Sequence, residues 1–220
     1  MKRLTKDRFE AILTSHRLWL KSNGKHGEPA IIQDYDTAGC MFTGINLKGF
    51  VFNCCHLSDT DFSGSSFEDA EFNDCFIGNA LWINANFPFA MFQCCTFIDG
   101  IVSYCDFGGA EFYGTEFKRT NLTGSNFRKS KFFNDCKMQN CKLNDAIFSY
   151  SALKSISLEC DDINVSLDKE FTFKAMPYSK ALIWRNFMPR NVKAALKFAM
   201  ERRPKPEDFS SIERMINYKK

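Results

Sequence analysis

Large apolar residues recur at every fifth position through the middle of the chain. Phe42, Leu47, Phe52, Leu57, Phe62, Phe67, Phe72, Ile77, Trp82, Phe87, Phe92, Phe97, Val102, Phe107, Phe112, Phe117, Leu122, Phe127 and Phe132 follow one another without a break. With 45% of the chain hydrophobic, a chance run of that length has a probability on the order of one in a few million. A second column runs two residues earlier and is small: Cys40, Cys55, Thr60, Ser65, Ala70, Cys75, Ala80, Ala85, Ala90, Cys95, Gly100, Cys105, Ala110, Thr115, Thr120, Ser125 and Ser130. Only Ile45 and Phe50 break the small-residue rule.

A period of five suits neither regular structure, because a helix repeats at 3.6 residues and a strand at two. Both columns point inward if each repeat is a short extended piece followed by a corner, since residues two apart on an extended chain share a side. The corner falls two residues after the large one, at Gly44, Gly49, Gly64, Gly109, Gly114 and Gly124 and at Asp59, Asp69, Asp74, Asn79, Asn84 and Asp99. These residue types tolerate tight turns. The pattern predicts a solenoid with stacked interior columns, and Phe72, Phe92 and Phe112 share one column if a coil holds twenty residues.

Segments such as SDTDFSGSSFEDAEFNDCFIGNA and GGAEFYGTEFKRTNLTGSNF resemble the pentapeptide-repeat family, whose loose consensus is A, then D or N, then L or F, then two polar residues. The resemblance implies an all-β solenoid, a right-handed quadrilateral β-helix with four repeats to a coil, over residues 30–164. The register slips once: after Phe132 the next large residue is Met138, then Leu143, Phe148, Leu153, Leu158 and Ile163 at fives again. One extra residue in FFNDC is read as a bulge that bends or offsets the rod.

A solenoid needs caps at its ends. Residues 1–29 are expected to form a helical N-terminal cap, with Phe9, Ile12, Leu13, Trp19 and Leu20 at helical spacing and Gly24 as a stop. Ala30 and Ile32 open the first repeat, while Tyr35 and Thr37 make the first coil irregular. Residues 165–220 lose the period and carry prolines at 177, 189, 204 and 206. There NVKAALKFAMERR reads as a helix from Asn191, and a second helix is expected from Glu207 to Asn217, a C-terminal extension that caps the last coil or serves oligomerisation. The resemblance offers a precedent for a homodimer through C-terminal helices.

Charge adds a polarity to the rod. Positions 40 to 116 hold ten acidic residues against Lys48 alone, whereas positions 117 to 154 hold eight basic residues against Asp135 and Asp145, and the last segment is basic again. The N-terminus lacks the apolar stretch of a signal peptide and no run is long enough to cross a bilayer, so the expected location is cytoplasmic. In that compartment the ten cysteines are expected as free thiols, seven of them inward as compact apolar residues and Cys54, Cys94 and Cys160 at corners.

Catalysis finds little support. His16, His26 and His56 are scattered, His16 falls on the apolar side of the cap helix, and neither a phosphate-binding glycine motif nor a CxxC zinc pattern occurs. The expectation is a protein that is not an enzyme, takes no cofactor or metal, does not bind nucleic acid directly, and presents a rigid surface to a protein partner. The candidate surface is an apolar band at outward positions: Leu81, Ile83, Phe89, Ile98, Ile101 and Tyr104, with Phe76 and Met91 nearby. Leu81 and Ile101, twenty apart, should stack on one side, and the cap or tail helices are the alternative cover for the band. The resemblance implies a second reading, in which acidic side chains such as Glu68, Asp69, Asp74 and Glu111 imitate DNA, bind DNA gyrase or topoisomerase and protect it from inhibitors. Against it, the acids spread over at least three sides of a four-sided coil.

Overall fold

The computed structural model describes residues 1–148, 151 and 156–160. The expected helices at 191–203 and 207–217, and with them the dimer contact, lie outside the described residues.

The repeat winds into a four-sided parallel solenoid in which each residue sits over the one twenty positions earlier, or twenty-one across the inserted residue near 134. Side 1 is a six-stranded ladder of Ile31–Gln33, Val51–Asn53, Glu71–Asn73, Met91–Gln93, Glu111–Tyr113 and Lys131–Phe133. Side 2 is a five-stranded ladder of Phe76–Gly78, Thr96–Ile98, Glu116–Lys118, Cys136–Gln139 and Ile156–Glu159. Sides 3 and 4 carry single bridges instead, through Met41, Asp61, Leu81, Ile101, Asn121 and Lys142 on side 3 and through Asn46, Ser66, Asn86, Asp106, Asn126 and Ile147 on side 4.

The two inward columns behave as the period of five requires. Phe52, Phe72, Phe92, Phe112 and Phe132 stack face to face on side 1 with ring centroids 4.8–5.1 Å apart. Phe67, Phe87, Phe107, Phe127 and Phe148 do the same on side 4 at 4.7–4.9 Å. That spacing is the distance between neighbouring parallel strands, so ring stacking and backbone pairing are satisfied by one geometry. The corners hold left-handed residues throughout, from Asp59 (φ 53°) and Asn84 (φ 56°) to Cys54 and Cys94 (φ 49° and 50°).

The small column does more than leave room. Ser65 donates its hydroxyl to the Phe42 carbonyl (2.6 Å), Thr115 to Phe92 (3.0 Å) and Ser125 to Val102 (2.9 Å). Cys55, Cys75 and Cys95 donate their thiols to Ile32, Phe52 and Phe72 at 3.2, 3.4 and 3.2 Å. Each reaches the carbonyl of a large residue twenty-three positions back, which ties successive coils and explains why Ser, Thr and Cys recur where Ala would fit.

The helix Lys6–Lys21 closes the N-terminal end, with the Thr5 hydroxyl accepting from the Arg8 amide as its cap. Phe9, Leu13 and His16 are its buried face. Phe9 packs on Phe42 and Phe50, and the His16 ring meets Phe50 edge-on. This is why Phe50 breaks the small-residue rule: at the first coil no preceding coil fills the space, and the helix does. Lys2–Arg3 adds a strand parallel to Tyr35–Asp36, covering the open edge of side 2. Two charged residues are too short a pattern to announce this strand in advance.

Two expectations need correction. The extra residue near 134 does not deform a strand: Asn134 and Asp135 are both left-handed (φ 56° and 55°) and absorb it at the corner between sides 1 and 2. Glu116–Lys118 then pairs with Lys137–Gln139 and Phe127 stacks on Phe148 at 4.7 Å and 3°, so the coil spacing is kept across the insertion. Cys160, expected at a corner and not among the inward cysteines, is fully buried, its thiol donating to the Met138 carbonyl and accepting from the Cys141 amide, both at 3.3 Å.

Candidate interaction surface

Among the described residues no group of three or more His, Cys, Asp or Glu side chains comes together to hold a metal ion. His16 is spoken for structurally. Its Nδ1 accepts from the Ala30 amide (3.0 Å), so the proton sits on Nε2, which donates to the Lys48 carbonyl (2.7 Å). The ring thereby pins the helix, the lead-in and the first coil together. Burial pushes the Cys105 thiol up to about 12, and burial raises Cys136 as well. A thiol so shifted is almost wholly protonated at neutral pH and a poor nucleophile. Cys54 and Cys94 are the exposed cysteines.

The apolar band divides by side. Leu81 and Ile101 are bridge partners on successive coils of side 3, 38% and 39% exposed, and Ile83 stands beside Leu81 on the same stretch, half-buried. Tyr104, 60% exposed, occupies the corner where side 3 passes into side 4. Ile98 is on side 2, separated from Ile101 by the corner at Asp99. Phe89, 67% exposed, lies at the corner between sides 4 and 1, a full side away from the others. Leu81, Ile83, Ile101 and Tyr104 therefore come together with Ile98 at their margin, and Phe89 does not join them. The N-terminal helix packs on the first coil and leaves these residues exposed.

Phe89 and Tyr104 share a device. Both are left-handed aromatic residues, and both rings lie across a glycine twenty positions on: a Cβ at Gly109 would come within 2.8 Å of the Phe89 ring, and one at Gly124 within 2.5 Å of the Tyr104 ring. The signal was present in the sequence as an aromatic corner followed by a glycine at the same corner of the next coil. Phe89 also lines an open cleft of about 520 Å³ together with Gly108, Gly109, Arg128, Lys129 and Lys131.

Leu81 and Ile101 differ from Asp61 and Asn121, which flank them along the same column, in making no turn-capping bond. On sides 3 and 4 six of the twelve residues before the large one are Asp or Asn, and in five of them a side-chain oxygen accepts from the backbone amide two residues on, while side 3 also carries Met41 and Lys142 in this column. Asp61 caps Ser63 (2.9 Å), Asn121 caps Thr123 (3.1 Å), Asn46 caps Lys48 (3.0 Å), Asp106 caps Gly108 (2.9 Å) and Asn126 caps Arg128 (2.9 Å). Leu81 and Ile101 cannot do this, and at Leu81 the Ile83 amide turns instead to the Ser63 hydroxyl of the coil before (3.2 Å). Each such local bond is worth about 0.5–1.5 kcal/mol. These two positions forgo it for an exposed apolar side chain.

The acidic residues are arranged differently. Glu68 and Asp69, on side 4 and its corner with side 1, share Lys48 at 2.8 and 3.5 Å. Glu111, on side 1, is tied to Lys131 (2.7 Å) and to the Tyr113 hydroxyl (2.6 Å), and these bonds hold its carboxyl below the usual range. Asp74 is exposed at the corner between sides 1 and 2. Asp99 is held low by a two-point contact with Arg119 (2.6 and 2.7 Å), and Glu116 binds Lys137 (2.5 Å). The acids thus occupy all four sides, and most of those named are neutralised by a base one coil away.

The family model for pentapeptide repeats matches eight copies, over residues 40–79 and 92–128. These residues are pentapeptide repeats. Among solved structures the chain is similar to a trypsin-treated form of QnrB1, a plasmid-mediated fluoroquinolone resistance protein, at 17% identity and a TM-score of 0.32, covering 71% of this chain and 94% of that one. It is similar to HetL from the cyanobacterium Nostoc, a pentapeptide repeat protein involved in heterocyst differentiation regulation, at 15% identity and a TM-score of 0.31, covering 69% and 89%. A third is Rfr23 from a Cyanothece cyanobacterium, at 11% identity and a TM-score of 0.26, covering 71% and 96%. No curated protein matches the sequence. Among the described residues no helix is long and apolar enough to cross a membrane.

Proposed function

We propose that this chain is a non-catalytic binding module of the cytoplasm that engages a protein partner through side 3, at Leu81, Ile83, Ile101 and Tyr104. The observation that carries the reading is the exchange at positions 81 and 101: a turn-capping Asp or Asn, as at 61 and 121, is replaced by an exposed Leu or Ile. The exchange gives up a turn-capping bond, whereas a contiguous apolar patch gains free energy when a partner covers it. The rod supplies rigidity, because each patch residue stands on a coil stitched to its neighbours by backbone and interior side-chain bonds.

The gyrase-directed DNA mimic ranks second. It requires a continuous negative stripe, and the ion pairs of Glu68, Glu111, Asp99 and Glu116 interrupt it. The test is affinity capture from an extract of the native host, using the wild-type chain, a Leu81→Ser/Ile83→Asn/Ile101→Ser variant and a Glu68→Gln/Asp69→Asn/Asp74→Asn/Glu111→Gln variant. A protein retained by the wild type and the acidic-surface variant but lost by the side 3 variant supports the proposal. The reverse pattern replaces it with the mimic.

A further inference from the structure

Carboxylates stand around the apolar patch on side 3. Asp59 and Asp61 lie on the coil before Leu81, Asp99 at the corner beside Ile101, and Asp106 beyond Tyr104 on side 4. Between Lys48 and Lys118 the sequence contains no Lys or Arg, and Arg119, the nearest cation on the following coil, is spent on Asp99. The rim of the patch therefore carries net negative charge, while its centre is Leu81, Ile83 and Ile101.

The backbone of side 3 is closed to a guest strand. Leu81 and Ile101 donate their amides to Thr60 and Ala80 at 2.9 Å, and Trp82 and Val102 donate to Ile101 and Asn121 at 2.8 Å. Recognition has to run through side chains, which favours a guest that satisfies its own backbone, namely a helix. The dimensions agree: Leu81 and Ile101 sit on successive coils about 4.8 Å apart, close to the helical pitch of about 5.4 Å. A helix laid along the rod sets apolar residues one turn apart against successive coils and projects its flanking side chains over the acidic rim. Phosphate backbones are repelled by the same rim.

We infer that the side 3 patch takes a basic amphipathic helix presented by a partner protein, an inference that rests on the reading of side 3 as the binding face. Complementary charge speeds the encounter and selects against acidic helices, while the apolar stripe supplies the contact that persists.

Two short labelled helical peptides with leucines at identical positions, one with lysines and one with glutamates on the polar face, are titrated against the full-length chain by fluorescence anisotropy. The lysine peptide is expected to bind at least about tenfold more tightly than the glutamate peptide. Leu81→Ser/Ile101→Ser and, separately, Asp59→Asn/Asp61→Asn/Asp106→Asn should each weaken it by about tenfold or more. The Asn changes keep the fold, because Asn46, Asn121 and Asn126 make the same turn-capping bond and Asn79 and Asn84 hold the same left-handed corner. Equal binding of the two peptides, or lysine-peptide binding indifferent to Leu81→Ser/Ile101→Ser, overturns the inference. A full-length Lys193→Glu/Lys197→Glu/Arg202→Glu/Arg203→Glu variant covers the remaining occupant. Unchanged affinity supports a foreign helix, whereas tighter binding shows that the chain's own basic segment fills the patch and overturns it. Host-protein capture lost in the side 3 variant without any preference for the lysine peptide sinks this inference and leaves the binding function standing.

Discussion

Sides 1 and 3 of the rod are built from the same repeat, yet their outward residues serve different ends. On side 1 they look after one another: the Asn73 amide donates to Asn53 (2.9 Å), Tyr113 stacks on Phe133 at 4.6 Å, and Lys131 pairs with Glu111 (2.7 Å). On side 3, in the third and fourth coils, Leu81 and Ile101 stand where Asp61 and Asn121 cap turns, with Ile83 beside them, and all three remain partly exposed. Inside, both sides are equally committed to packing. The difference lies only in what faces solvent.

The largest expected effect lies inside side 1. Phe92 is fully buried between Phe72 and Phe112, with centroids 4.8 and 5.1 Å away. Phe92→Ala should cost about 3 to 5 kcal/mol, read from urea unfolding, and an unchanged midpoint would break the account of the interior columns. By contrast, Leu81→Ser/Ile83→Asn/Ile101→Ser should change stability by less than about 1 kcal/mol. A loss as large as that of Phe92→Ala would mean that side 3 is a fold surface after all.

Next come the aromatic corners. Gly109→Ala adds a Cβ at a left-handed position and drives it into the Phe89 ring, and should destabilise by about 1 to 3 kcal/mol. In a Phe89→Ala background the steric part disappears and the conformational part stays, so the double-mutant cycle should show positive coupling. Additivity would show that the ring does not lie where the structure places it.

Trp82 gives a smaller effect in the interior of side 3. Its indole nitrogen is buried without a hydrogen-bond partner, and its ring stands perpendicular to Phe62 and Phe97. Trp82→Phe loses volume but removes an orphan donor, and the two changes offset to within about 1 kcal/mol. A loss above that range would point to a role for the nitrogen.

The smallest effect concerns acid. Glu111 is held below the usual carboxylate range in the folded state, chiefly by Lys131. Its contribution is therefore complete above the unfolded value of about 4.3 and is lost as pH falls through the lowered folded value. Lys131→Met should flatten the acid limb of the stability curve by less than about 1 kcal/mol, since the pair is exposed. An unaltered pH profile would show that the side 1 pair does nothing for the rod.

Much of this was legible beforehand because the repeat forces it. A strict period of five places Phe72, Phe92 and Phe112 in one column and puts Asp59, Asn84 and Gly124 at corners, and no tertiary context can move them without breaking every neighbouring coil. The parts that escaped depend on contacts the period does not encode. Lys2–Arg3 joins side 2 with two charged residues, Cys160 turns inward after the last described strand, and the thiols and hydroxyls of the small column bond a carbonyl twenty-three residues back. The candidate surface was half legible: Leu81 and Ile101 follow from a twenty-residue coil, but grouping Phe89 with them ignored that it falls a side away, at the corner with side 1.

The central claim is that side 3 binds and does not hold the fold, and a captured partner titrated into the wild-type chain and into the Leu81→Ser/Ile83→Asn/Ile101→Ser variant tests it most directly. With apolar burial contributing about 25 cal/mol per Å², the variant should bind at least about tenfold more weakly while the Glu68→Gln/Asp69→Asn/Asp74→Asn/Glu111→Gln variant binds as the wild type does. Equal affinity for the side 3 variant, with the loss appearing in the acidic-surface variant instead, would contradict it.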